Sequence, residues 1–445
     1  MRRIKWILLS VMAAATCLLS GCMLKTVEEM YCLPKRTEEY NNLQTAINKV
    51  MTGLEYSSPI SGENQQTVQM SDLDGDGEPE ALVFAKGNGE KPLKIFIFAK
   101  QEGVYTNIAT IETAGTSFEQ VEYAQIDDVP GMELAVGRQV SNEVLHALTV
   151  YSFRSGQPEL LLTANYTRFS TTDLNQDDRR EIFLLRPGAS AENGVAELYF
   201  FRKGSMERSR EAAMSVSVDK LKRIAVGNMD QDTPAVFVAS VYNEDTIITD
   251  VFAVVKNKLT NVSLSSESGT SVQTIRNYYV YADDIDDDGL IELPSLISMP
   301  KLEPNNAPAS RYLIRWYNLT TDGGEREKIY TYHNYTDGWY MRLEQDWIET
   351  LSVTRGREVG ETLGYVFTGG PGPRDGSQVI FTIYAFSGDD RESLATSDGR
   401  FVLARTDEVI YAAAMGSGTL ARQLDQQTMI SYFNFIREDW KTGET

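Results

Sequence analysis

Histidine and cysteine are nearly absent: the 445 residues hold two histidines, His146 and His333, and three cysteines. Chemistry that needs several imidazoles, such as a histidine-rich metal site, is therefore close to excluded. Cys17 and Cys22 fall in or at the end of an N-terminal apolar segment, which leaves Cys32 alone. No intramolecular disulfide is then available, so an exported chain must be held by its core or by metal ions. Cations are also scarce: 42 Lys and Arg stand against 63 Asp and Glu, a net charge of −21. So acidic a chain repels phosphate backbones, which excludes nucleic acid as an expected partner. The composition is otherwise that of folded globular protein, with 42% hydrophobic residues, 33 Gly and 14 Pro.

The chain opens with Arg2, Arg3 and Lys5, then an apolar stretch from Trp6 to Leu19, then small residues. This is the order of a secretory signal peptide, and the stretch is shorter than the roughly 20 residues a membrane span needs. Leu19-Ser20-Gly21-Cys22 resembles the lipobox of bacterial lipoproteins. That resemblance implies cleavage after residue 21, a lipid-carrying Cys22 and anchoring on the extracytoplasmic face of a bacterial cell membrane. Loss of residues 1–21 removes three cations and no acids, leaving 39 against 63, or −24. Anionic headgroups repel such a domain, so acyl chains alone hold it at the membrane. Residues 22–35 read as a lipidated tether. Within 36–54, Tyr40, Leu43, Ile47, Val50 and Met51 recur at helical spacing, with Thr37 as candidate N-cap and Gly53 as stop.

Beyond the helix lies a repeat. Asp72-Leu-Asp-Gly-Asp-Gly-Glu-Pro-Glu80 precedes the apolar run Ala81–Ala85, and related nine-residue frames start at 125, 173, 228 and 284. A period near 50 residues means stacked supersecondary units. Between the turns the text is strand-like, about four runs per period, which is the count of one propeller blade. The run after each turn is continuously apolar, as in a strand buried on both faces. In D-x-D-x-D-G-x-x-E the side chains at positions 1, 3 and 5 surround one point, Gly at position 6 permits the bend, and a later carboxylate closes the cage. That donor set suits a hard cation such as Ca²⁺. The closing Glu stands at position 9 and no helices flank the turn, which disfavours an EF-hand. The alternative is that these acids cap tight turns through their own backbone with no metal.

These turns resemble the FG-GAP or VCBS-type repeats of integrin-alpha-like β-propellers. The resemblance spans roughly residues 55–345 and implies structural Ca²⁺ and a recognition surface. Its ligand positions fall on Asp72, Asp74, Asp76 and Glu80, on Asp173, Asn175, Asp177 and Glu181, and on Asp284, Asp286, Asp288 and Glu292. The second frame departs at Gln125, Val129 and Pro130, and the fourth lacks the closing acid. The expected fold is mainly β: a β-propeller over 55–347 followed by a small α+β domain over 348–445, or further degenerate blades there.

The segment from Arg311 to Trp347 is dense in Tyr and Trp, a pattern that suits strand packing and, as a second candidate, a sugar-stacking face. Gly369 to Gly376 reads as a loop, since two prolines remove backbone donors. Met429, Phe433, Ile436 and Trp440 predict a last helix started by Asp425. No nucleophile elbow, zincin helix or phosphate loop is present. The sequence therefore points to a non-catalytic binding or adhesion module for an extracellular glycan or protein. The alternatives are an envelope scaffold and, third, a glycan-cleaving propeller enzyme.

Overall fold

The computed structural model describes residues 38–140, 146–189, 192–244, 246–277, 280–299, 312–370 and 378–437. The signal peptide, Cys22, the tether, Thr37, most of the 369–376 loop and Trp440 lie outside the described residues. Six antiparallel sheets of four or five strands follow one another along the chain, the arrangement of propeller blades. The first four take their principal strands from residues 55–113, 117–166, 168–213 and 221–261. The fifth runs from Leu293–Ser298 to Trp339–Leu343, and the sixth covers 352–415.

The apolar runs explain the stacking. In the strand Glu80–Lys86, Leu82 and Phe84 enter a core shared with the second sheet, while Ala81, Val83 and Ala85 face the opposite way. Burial on both faces requires a continuous apolar run, and a slip by one residue would exchange the two cores. Each later junction repeats this. Leu148 and Phe169 share a core between sheets two and three, Phe183 and Phe252 between three and four, and Phe237 and Tyr317 between four and five. Trp339 and Phe367 do the same between sheets five and six. The segment after 347 thus supplies a sheet with two short helices, packed into the core of the preceding blade.

The two outermost faces are covered by helices. Helix α1 (Glu38–Val50) lays Ala46 and Ile47 on Ala81, Val83 and Phe98 of the first sheet. Gly53, at φ +75°, turns the chain out of the helix. Helix α2 (Arg391–Thr396) sets Ala395 against Tyr384, Phe386 and Ala412 on the far face of the sixth sheet. Terminal units of a repeat array need such cover, because their outward faces have no neighbouring repeat.

One expectation is corrected, and of the two readings of the aromatic segment the structure bears out strand packing. Helix α3 begins where anticipated, with the Asp425 carboxylate accepting from the Thr428 N–H, but it spans only Gln426–Tyr432. Phe433–Phe435 is a strand that joins the edge of the fifth sheet, because the Phe433 ring packs against Trp339 and Tyr411. The aromatic segment is interior rather than a stacking face: Trp316, Tyr317, Tyr332, Trp339 and Trp347 are fully buried, and burial pushes the His333 imidazole down to about 3. Asp250, wholly buried in the fourth blade, accepts from the Ser215 amide and hydroxyl, the Asn261 amide and the Ser271 hydroxyl. Such a saturated set of donors makes a buried carboxylate tolerable.

Candidate metal centres

Four of the five acidic frames are turns whose closing glutamate starts, or in the case of Glu292 directly precedes, a buried strand. In the first turn both Asp72 oxygens accept backbone N–H groups, from Gly75 and Gly77, at 2.8 and 3.0 Å. Glu80 Oε2 accepts from the Leu73 N–H at 2.9 Å. The closing acid repeats this bond to position 2 in three further turns: Glu133 to Ile126, Glu181 to Leu174 and Glu292 to Ile285. These four glutamates are only 4, 2, 2 and 0% exposed. The position-2 residues Leu73, Ile126 and Leu174 in turn plug the cores between successive blades.

Positions 4 and 6 of the three fullest frames share the left-handed backbone: Gly75 and Gly77, Gln176 and Asp178, Asp287 and Gly289. The third frame therefore keeps the turn despite lacking glycine at position 6, with Asp178 at φ +66°. The turns also dock on one another. The N–H at position 8 donates to the carbonyl at position 1 of the preceding turn: Met132 to Asp72, Arg180 to Gln125 and Ile291 to Asn228. At the first junction Gly75 lies so close to the Pro130 backbone that a Cβ would meet it at 2.5 Å.

Three groups of carboxylates converge closely enough to hold a metal ion: Asp72, Asp74 and Glu80; Asp173, Asp177 and Glu181; Asp284, Asp286 and Glu292. The position-5 acids divide. Asp177 joins its group and Asp76 and Asp288 do not, although all three accept the N–H two residues on, from Arg179, Glu78 and Leu290. Asn175 donates its amide to Glu181 Oε1 at 2.5 Å. Burial, reinforced by the neighbouring aspartates, pushes Glu80 and Glu181 up to about 7. Burial likewise raises Glu292 to about 7, and it raises Asp286. In so dry a place each carboxyl either keeps its proton or has its charge balanced by a cation. The turns carry the backbone-capping hydrogen bonds of a metal-free turn, and the carboxylates of the first, third and fifth also converge closely enough for a hard oxygen-bound cation.

Among the described residues three turns meet a cation of the chain's own: Arg179 pairs with the exposed Asp177 in the third, and the second and fifth hold theirs at more buried acids. In the second, Asp127 is fully buried and accepts from the Ser152 hydroxyl at 2.7 Å, while the Arg154 guanidinium stands 3.1 Å away. In the fifth, the Lys328 ammonium bonds Asp288 and lies 3.8 Å from both Asp286 and Glu292. Burial works against the charged form of Lys328, but the bond to Asp288 and the fields of Asp286 and Glu292 outweigh it and raise its pKa. These cations stand 27 and 40 residues beyond their aspartates, so no local pattern announces them. The fourth frame is a tight hairpin between Leu221–Asp230 and Thr233–Asn243.

No family model and no curated protein matches the chain. Among solved structures, it is similar to the rhamnogalacturonan lyase YesW at 12% identity over 71% of this chain and 70% of that one, with a TM-score of 0.29. The exotype rhamnogalacturonan lyase YesX matches at 13% identity over 75% and 67%, with a TM-score of 0.30. The Dos1 propeller matches at 9% identity over 81% of each chain, with a TM-score of 0.28. Among the described residues no helix is long and apolar enough to cross a membrane.

Proposed function

We propose that this chain is a lipid-anchored bacterial protein of the extracytoplasmic face, with a calcium-binding propeller of FG-GAP or VCBS type that binds an extracellular ligand without turning it over. The acidic turns tie blade to blade, which assigns them to the fold and leaves other surfaces for recognition. The observation that carries the ligand reading is a recess of about 630 Å³ on the sixth sheet. Arg357 and Arg422 line it beside Gln378, Ser417 and Thr419, and among the described residues no carboxylate lines it. On a chain of net charge −21, such a reversal of sign favours an anionic ligand. Guanidinium groups pair with carboxylates in a fixed fork, so a carboxylated glycan suits the recess best.

The test screens the full chain in detergent on acidic and neutral glycans while reaction products are followed. Binding of acidic glycans, weakened at least tenfold by Arg357→Ala with Arg422→Ala, supports the reading. Turnover abolished by a single carboxylate substitution that leaves the fold intact would replace it with an enzyme. Anchoring has its own check. Two acyl chains, at about 0.8 kcal/mol per buried CH₂, hold a protein at the membrane where one does not. Cys22→Ala is accordingly expected to appear in the medium or as uncleaved precursor in cell fractionation. A cleaved Cys22→Ala product that stays membrane-bound would contradict the anchor.

A further inference from the structure

We propose that Lys328 is the resident cation of the fifth acidic turn, standing where the repeat pattern calls for a metal ion, so that this turn binds no divalent cation. The proposal concerns the turn that matches the pattern most fully together with the first, since Asp284, Asp286, Asp288 and Glu292 fill every ligand position. Lys328 comes from the strand Glu325–Asn334 of the same blade, and its side chain is 21% exposed. Its ammonium hydrogen-bonds Asp288 and faces Asp286 and Glu292 at 3.8 Å, so positions 3, 5 and 9 converge on one nitrogen. A calcium ion needs six to eight oxygens at about 2.3–2.6 Å and cannot share that point with a second positive centre.

The closing glutamate sets the fifth turn apart from the first, though not from the third, where the Leu174 N–H and the Asn175 amide engage both oxygens of Glu181. Glu292 has both oxygens engaged, Oε2 by the Ile285 N–H at 3.1 Å and Oε1 by the Asn318 amide at 2.8 Å. In the first turn the Leu73 N–H bonds Glu80 Oε2 alone, and among the described residues no Lys or Arg forms an ion pair with Asp72, Asp74 or Glu80. The third turn has one exposed ion pair, Arg179 with Asp177 at 2.7 Å, and among the described residues no Lys or Arg pairs with Asp173 or Glu181. The chain thus answers one problem, concentrated negative charge at a blade junction, in two ways. Turns one and three are left to an ion from solution, and turn five is neutralised from within.

The inference rests on the proposed function only for the count of sites elsewhere, and the test separates the two. Ca²⁺ bound per chain is measured by equilibrium dialysis for the unaltered protein and for Lys328→Met, which keeps the apolar stem and removes the charge. The expected result is one more Ca²⁺ per chain in the variant, three against two. A rise from none to one would uphold Lys328 as the resident cation while removing the metal from turns one and three. An unchanged count, or three ions in the unaltered protein, would overturn the proposal. Should Lys328→Met not fold, Asp286→Asn with Asp288→Asn gives the same answer from the other side. Those substitutions leave the count unchanged if the turn holds no ion and lower it by one if it does.

Discussion

Stripping divalent cations from the folded protein is expected to lower its melting temperature by roughly 6 °C at pH 8. Extracellular calcium modules bind at about 10⁻⁴ to 10⁻³ M, and an ion at a hundredfold excess over its dissociation constant stabilises by about 2.7 kcal/mol. Two sites give about 5.4 kcal/mol. An unfolding entropy of about 2.1 cal/mol/K per residue over 445 residues converts that to the stated shift. The effect should depend on pH with a definite sign. Burial first, and the adjacent aspartates second, raise Glu80 and Glu181 from 4.5 to about 7 in the metal-free fold. A raised carboxylate contributes stability that is complete below the unfolded value near 4.5 and is lost as pH rises through about 7. The ion reverses that loss, so stabilisation by calcium should be small at pH 5.5 and full at pH 8. Scanning fluorimetry with and without chelator reads both, and a melting temperature unmoved by chelator at pH 8 would refute the expectation.

Arg154→Ala is expected to cost about 3 kcal/mol, the lower end of the range for removing one partner of a buried ion pair. The Asp127 side chain is 0% exposed, so its charge cannot turn to water when the guanidinium 3.1 Å away is removed. The Ser152 hydroxyl remains and softens the loss, as does the 26% exposure of Arg154. Arg154 also lies over the Phe201 ring at 5.1 Å, so the substitution loosens the junction between the second and third blades as well. Combining it with Asp127→Asn should recover part of the stability, because the stranded charge is then gone. Urea unfolding of the two single variants and the double variant measures this. A double variant no more stable than Arg154→Ala alone would show that packing, not charge, holds Arg154 there.

The fold was legible where one residue type repeats its task. The apolar runs Ala81–Ala85 and Ile182–Leu185 show two-sided burial directly, since a half-exposed strand would alternate. The acidic frames marked the blade junctions because their spacing is set by the length of one sheet. The position-2 plug is also visible in the sequence, as Leu73, Ile126, Leu174, Met229 and Ile285 are all aliphatic or Met, each set among acids. Left-handed backbone at position 4 escaped notice because Gln176 and Asp287 adopt it without glycine. The end of helix α3 was misread because the spacing of Met429, Phe433 and Ile436 fits a helix, and only the edge of the fifth sheet pulls Phe433 into a strand. The charge balance of turns two and five was not legible at all. Whether Asp127 or Asp286 faces a metal or a side chain depends on Arg154 and Lys328, which the blade's hairpins bring back from later in the chain.

Whether the blade junctions divide between solution cations and side-chain cations can be seen by anomalous scattering from crystals grown with Tb³⁺ in place of Ca²⁺. One peak is expected among Asp72, Asp74 and Glu80 and a second among Asp173, Asp177 and Glu181, with Lys328 alone within reach of Asp286, Asp288 and Glu292. Crystals with no peak at the first and third turns, or with a peak at the fifth and Lys328 displaced, would contradict that division.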